Sequence, residues 1–302
     1  GEDVVLLEAR PEPGGRVRTV YDGESGSVLY ESGPWRIPAD HARARALFSK
    51  EGLSLVPLAT PTPVTSKEDA RTRPGLSNWD AHALHSGPER ADLADLATGY
   101  AGQTSAASGS APYTTPSRDF FVCPDGFTEL VRRMAARLDD VRYDHRVVDV
   151  VVEEEETTYA VHVRRRVGAT TFETVVLRCD ALFVCVPPGV AREWPALREH
   201  ARSTLCAVTQ GALCHVYVEH ETQRTPFHHK TPDSLLAQTI SSQYGNAWFQ
   251  ASYAGGRVAR FWHHLRNQSA DVFWTALRAA LRARHDIRVP ASARHHSHYW
   301  PC

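Results

Sequence analysis

The sequence predicts an α/β fold, and three observations predict it. A continuous apolar run, "DVVLLEA" (3–9), ends at Glu8 and enters a turn built on Pro11, Pro13, Gly14 and Gly15. Unbroken rather than alternating, it has the pattern of a buried parallel strand. Two segments, 125–138 and 269–285, repeat apolar residues at helical spacing, and three runs between 146 and 178 read as a β-meander. Strands and helices mixed in this way belong to α/β or α+β architectures.

The elements follow in order. "LYESGPWRIP" (29–38) is a short strand running into a Gly-Pro turn, and 39–53 is a helix with Asp40 as N-cap and Gly52 just past its end. Residues 59–118 are rich in Pro, Thr, Ser, Ala and Gly, and predict an irregular or reduced insertion. Helix 125–138 carries Phe127, Leu130, Val131, Met134 and Leu138 on one stripe, with Asp125 as its cap. The meander runs through 146–152, 158–166 and 171–178, with acidic residues 153–156 at its first turn. "ALFVCVPPGV" (181–190) reads as another buried strand, "ALCHVYVEH" (212–220) and "AWFQASY" (247–253) as further strands, and 269–285 as a helix capped by Ser269. Four segments result: 1–58, 59–118, 119–190 and 191–302.

Composition narrows the function. Of 302 residues, 42% are hydrophobic and 23% charged, as in soluble globular proteins, and the net charge of −1 gives no general attraction to nucleic acid or anionic membrane. The longest apolar runs are too short to span a bilayer. The six cysteines include no CxxC pair, and the histidine pairs lack ligand spacing, so no metal is expected. Cys185, inside an apolar run, is expected to be a buried thiol. Lysine occurs only at Lys50, Lys67 and Lys230, which limits where a catalytic lysine could stand.

Glu8 is the first candidate site residue. An acid at the end of the second strand of a dinucleotide-binding fold accepts hydrogen bonds from a ribose, about 20 residues after a glycine-rich phosphate loop. That spacing puts the loop before residue 1. Read alone, the same residue is better explained as a solvated carboxylate at a strand end.

Two linked signatures, "EARPEPGGRVRT" and "YESGPWRIP", strongly resemble the flavin-containing amine oxidase family, and L-amino-acid oxidases in particular. The resemblance continues through "PDGFTELVRRMA", "HRVVDVVVE", "CDALFVCVPPGVA", "ASYAGGRVARFW" and "HYWP", and is weakest over 59–118. It implies an FAD-binding domain of the two-dinucleotide-binding type, interleaved with a mixed-sheet substrate domain. The first βα unit and a C-terminal FAD segment would lie outside this chain. It further implies that Glu8 and Ala9 contact the adenosine half of FAD, that Gly14 and Gly15 let the backbone approach it, and that Arg16 sets a charge against it. Gly33, Pro34 and Trp35 match the turn that passes the flavin, Val147 the strand position that meets the adenine, and Arg36 the arginine that clamps the substrate carboxylate. The family lysine near the flavin has no counterpart on the strand 212–220, where His215 is the closest chemical substitute. Trp248, Tyr253 and Trp300 are candidate cage aromatics.

The activity so implied is FAD-dependent oxidation of an amine, best matched by an L-amino acid, with O2 as acceptor and keto acid, ammonia and hydrogen peroxide as products. The rival reading, from another class, is a catalytically inactive relative serving as a structural or interaction component. Its partner would be a homo-oligomer or a larger assembly.

Overall fold

The computed structural model describes residues 3–39, 41–58, 120–153, 158–195, 197, 212–220, 227–231 and 234–301. The predicted insertion at 59–118 and the cap at Asp40 lie outside them. The chain divides into two compact units, one formed by Gly1–Gly15 with Thr128–Gln210, the other by Arg16–Phe127 with Gly211–Cys302. No helix among the described residues is long and apolar enough to cross a membrane.

In the first unit, β1 (Val5–Leu7) pairs in parallel with β7 (Asp140–Arg142). The parallel pairing expected of 3–9 is present, but the burial is not. Val5 and Leu6 are exposed, because β7 is the only strand beside β1 among the described residues. The meander forms as β8 (His145–Glu153), β9 (Thr158–Arg166) and β10 (Phe172–Cys179), antiparallel in the order β10-β9-β8, with a bulge between Val147 and Asp149. Val150, Val161, Val163 and Trp194 form its core.

The expected buried strand at 181–190 is absent. Among the described residues no strand pairs with 181–187, Phe183 is 89% exposed, and Cys185 is exposed rather than a buried thiol. An apolar run needs a neighbouring ladder to become a strand, and none is offered here. Only Pro188–Ala191 is regular, a single helical turn (α3) entered through Pro187 and Pro188.

The second unit is built on a five-stranded sheet, β12-β13-β14-β11-β15. Its strands are β11 (Leu213–Glu219), β12 (His228–Thr231), β13 (Ala237–Ile240), β14 (Trp248–Gly255) and β15 (His295–Trp300). Two helices, α4 (Gly256–Gln268) and α5 (Ala270–His285), cover one face. Ser269 caps α5 as expected, its Oγ accepting the Val272 N–H at 3.3 Å. Trp262 and Phe273 meet edge to face in the core below, with Leu277, Leu281, Val216, Val218 and Phe249 around them.

The same unit holds the hairpin β2 (Thr19–Tyr21) with β3 (Val28–Glu31), the helix α1 (Ala42–Lys50), and a small sheet. That sheet joins β4 (Ile37–Pro38), β6 (Phe120–Val122) and β5 (Val56–Pro57) in that order. The helix α2 (Phe127–Ala136), which from Thr128 on belongs to the first unit, forms, yet its stripe is only partly buried, since Met134 and Leu138 are exposed. Phe127 N–H, at the start of the helix, donates to the buried carboxylate of Glu31, at Oε1 and 2.9 Å.

Candidate active site

Within the first unit, the structure brings Glu8, Ala9 and Val147 to neighbouring positions. Glu8 N–H donates to Arg142 C=O at 3.0 Å, and His145 N–H donates to Glu8 C=O at 2.9 Å. Val147 therefore lies two residues along β8 from the contact with Glu8, partly buried against the meander core. The Glu8 carboxylate accepts the Arg10 N–H at 2.9 Å through Oε1, and its second oxygen has no protein partner among the described residues. Beyond Ala9, the turn is closed by Arg10 Nη1 donating to Gly15 C=O at 3.1 Å. Gly14 and Gly15 have φ of 118° and 55°, the left-handed region that favours glycine. Arg10 was not among the expected site residues; a third arginine in an arginine-rich turn gave no signal.

Within the second unit, Arg16 is exposed, and the turn Gly33–Arg36 is fixed from both ends. Ser32 N–H donates to Arg18 C=O at 2.8 Å, and Trp300 Nε1 donates to Ser32 C=O at 2.7 Å. Gly33 is packed so closely that a Cβ would sit 1.9 Å from the Arg16 carbonyl oxygen. Pro34 is exposed and Trp35 is buried. The Arg36 guanidinium lies over the Trp35 ring at 4.3 Å and the Phe120 ring at 3.9 Å. Phe120 reaches it because β4 and β6 pair, Pro38 opposite Phe120. Both contacts are of the cation–π kind, a guanidinium attracted to the face of an aromatic ring.

Glu31, at the end of β3, is fully buried, and sequence reasoning missed it. Its carboxylate accepts from Thr19 Oγ1 at 2.9–3.0 Å, from Phe127 N–H at 2.9 Å, and from Tyr244 Oη at 2.9 Å. No cation is among its partners in the described residues, and burial pushes its carboxyl up to about 7. The phenols of Tyr217 and Tyr244 and the thiol of Cys123, which share this pocket of the core, are pushed up and stay neutral there.

A folded state that holds this proton more tightly than the unfolded chain is favoured at low pH. The contribution of Glu31 to stability is therefore greatest below about 4.5, falls as pH rises towards 7, and is level above it. At about 1.4 kcal/mol per tenfold change in proton affinity, the fall amounts to roughly 3 kcal/mol. Urea midpoints measured across this window should decline in the wild type, and Glu31→Gln should flatten the decline.

His215 lies on β11, buried, with its ring edge-on to Tyr253 at 4.9 Å, its cross-strand partner in β14. His298 is its partner in β15, held down to about 4 by burial. The three candidate cage aromatics each have protein neighbours, and ring contacts through His215, Tyr217 and Tyr30 link Tyr253 to Trp248. Trp248 is core, grouped with Tyr30 and Tyr217, whose rings stack at 4.1 Å. Trp300 anchors Ser32, and Tyr253 packs on His215. Among the described residues no group of three or more His, Cys, Asp or Glu is placed to hold a metal ion.

The flavin containing amine oxidoreductase family model matches residues 1–78 and 91–301. No curated protein matches the chain at a significant level. Among solved structures, wild-type putrescine oxidase bound to putrescine is similar with a TM-score of 0.60 at 14% identity, over 96% of this chain and 78% of that one. A single-mutant form from the redesign of cofactor binding in putrescine oxidase gives a TM-score of 0.64 at 15% identity over the same shares. At that identity the likeness establishes the fold, a mixed α/β arrangement like that of an FAD-dependent amine oxidase. With the family model spanning nearly the whole sequence, the chain belongs to the flavin-containing amine oxidoreductases, whose cofactor is FAD and whose chemistry is the oxidation of amines.

Proposed function

We propose that the protein oxidises an α-amino acid, with O2 as the final acceptor and keto acid, ammonia and hydrogen peroxide as products. The observation that carries the choice of substrate is Arg36. Its guanidinium lies over the Trp35 and Phe120 rings, 4.3 and 3.9 Å from their centroids, immediately after the Gly33–Pro34 turn. A planar fork of N–H donors makes paired, charge-assisted bonds to a carboxylate, which a simple amine lacks.

The chain's own residues fit the cofactor of the family. Glu8 stands at the end of a parallel strand with one carboxylate oxygen available for ribose hydroxyls. Around the turn that follows, nothing lies within 4 Å of where a Cβ on Gly15 would project. In this reading Glu8, Ala9, Gly14, Gly15 and Val147 hold the adenosine and pyrophosphate portion, Arg16 supplies positive charge, and Gly33, Pro34 and Trp35 form the turn beside the flavin ring. Bound FAD supplies the two-electron acceptor.

The remaining work belongs to side chains. Arg36 fixes the carboxylate and so the direction of the substrate Cα–H, a contribution of geometry as much as affinity. In this reading His215, buried on β11 and edge-on to Tyr253, stands in for the lysine that relatives place near the flavin. The test is turnover of the holoprotein on α-amino acids, each paired with its decarboxylated amine, read as peroxide and ammonia. Preference for the amino acid supports the reading. Preference for the amine reassigns the substrate class, and no peroxide from either favours the inactive relative.

A further inference from the structure

The segment that presents Arg36 is held by one side chain more than by any other. Glu31 stands at the last position of β3, five residues before Arg36, and its carboxylate receives donors from three places: Thr19 on β2, the first amide of α2 at Phe127, and Tyr244 in the loop between β13 and β14. Its carbonyl oxygen receives a fourth, Tyr217 Oη of β11, at 2.6 Å. The loop bearing Tyr244 is itself tied to β3, Asn246 Nδ2 donating to the carbonyls of Val28 and Leu29 at 3.1 and 2.9 Å. From Glu31 the chain passes to Ser32, bonded on both sides, and to Gly33, in backbone contact with Arg16.

We propose that Glu31 is a positioning residue of the active site, its buried carboxylate setting the turn that aims the Arg36 guanidinium at the substrate carboxylate. The proposal rests on the reading of Arg36 given above. Each group bonded to the carboxylate donates a hydrogen, and all three, the Thr19 hydroxyl, the Phe127 amide and the Tyr244 phenol, belong to the same unit as Arg36. Shortening the side chain by one methylene withdraws the acceptor from three donors at once. They can follow it only by moving β2, α2 or the Tyr244 loop. A shift of the turn by about 1 Å is enough to cost affinity at an oriented contact by about tenfold or more.

The experiment is calorimetric titration of the holoprotein with benzoate, a carboxylate probe, and with benzylamine, a probe that carries no carboxylate. Glu31→Asp should weaken benzoate by about tenfold and leave benzylamine within about twofold. Glu31→Gln keeps the length, and its amide presents an oxygen to Phe127 N–H and Tyr244 Oη and an NH2 to Thr19 Oγ1, so it should bind benzoate within about twofold of wild type. If the Asp variant does not fold, Tyr244→Phe, which removes one phenol oxygen, should weaken benzoate by about threefold with benzylamine unchanged.

Equal weakening of both probes means a merely structural role and overturns the proposal. Wild-type benzoate affinity in Glu31→Asp, with that affinity lost in Arg36→Ala, overturns the positioning role while leaving Arg36 in place. Wild-type benzoate affinity in Arg36→Ala removes the carboxylate clamp itself, and the positioning role with it.

Discussion

Arg36→Ala should lower kcat/KM for an α-amino acid by about 100-fold, while turnover of the decarboxylated amine changes by less than about threefold. The size follows from the contact being removed. Charge-assisted hydrogen bonds are each worth about 1.5–3 kcal/mol, and truncating one partner of such a pair costs about 2–5 kcal/mol. The side chain also packs, its guanidinium lying over Trp35 and Phe120. Its loss should therefore cost about 1 kcal/mol of stability as well, which is why the amine control is needed. Arg36→Lys should recover the packing in part but little of the specificity, because a point charge on a flexible stem does not make two parallel bonds. Steady-state kinetics on the paired substrates measures both effects.

Gly33→Ala should be the most damaging single methyl addition in this region. The added Cβ would meet Arg16 O at 1.9 Å, Arg16 C at 3.1 Å and Arg18 N at 3.2 Å, all backbone atoms. No side chain can swing aside to make room. The neighbouring Ser32 N–H to Arg18 C=O bond, at 2.8 Å, ties the two segments where they would have to separate. Overpacking of this kind costs about 3 kcal/mol, roughly 8 °C in Tm for a chain of this size. Scanning calorimetry of the variant reads the loss directly. The turn's displacement should also carry away benzoate binding, since Arg36 follows three residues later.

Much of this was legible in the residues, and the misses have a common cause. The meander, the strands at 212–220 and 247–253, and the helix capped by Ser269 declare themselves by local pattern, and they form. The turn at Gly14 and Gly15 was legible because its chemistry is local too. The run at 181–187 was misread because strand formation depends on a neighbour that apolar composition cannot reveal.

Glu31 went unseen for the opposite reason. A glutamate within a strand normally faces water, and its three donors come from residues 12 to 213 positions away. Only its place between Tyr30 and the Gly-Pro turn hinted at burial. Arg36 was named through family resemblance, but its setting over two rings depends on Phe120, 84 residues later, which no local motif could supply.

The visible absorption spectrum of the purified intact protein tests the central claim most directly. A flavin spectrum that survives gel filtration, with FAD released on denaturation and with occupancy lowered in Glu8→Ala, is the predicted result. A colourless protein that takes up no added FAD, or one whose flavin binding is indifferent to Glu8, would contradict it.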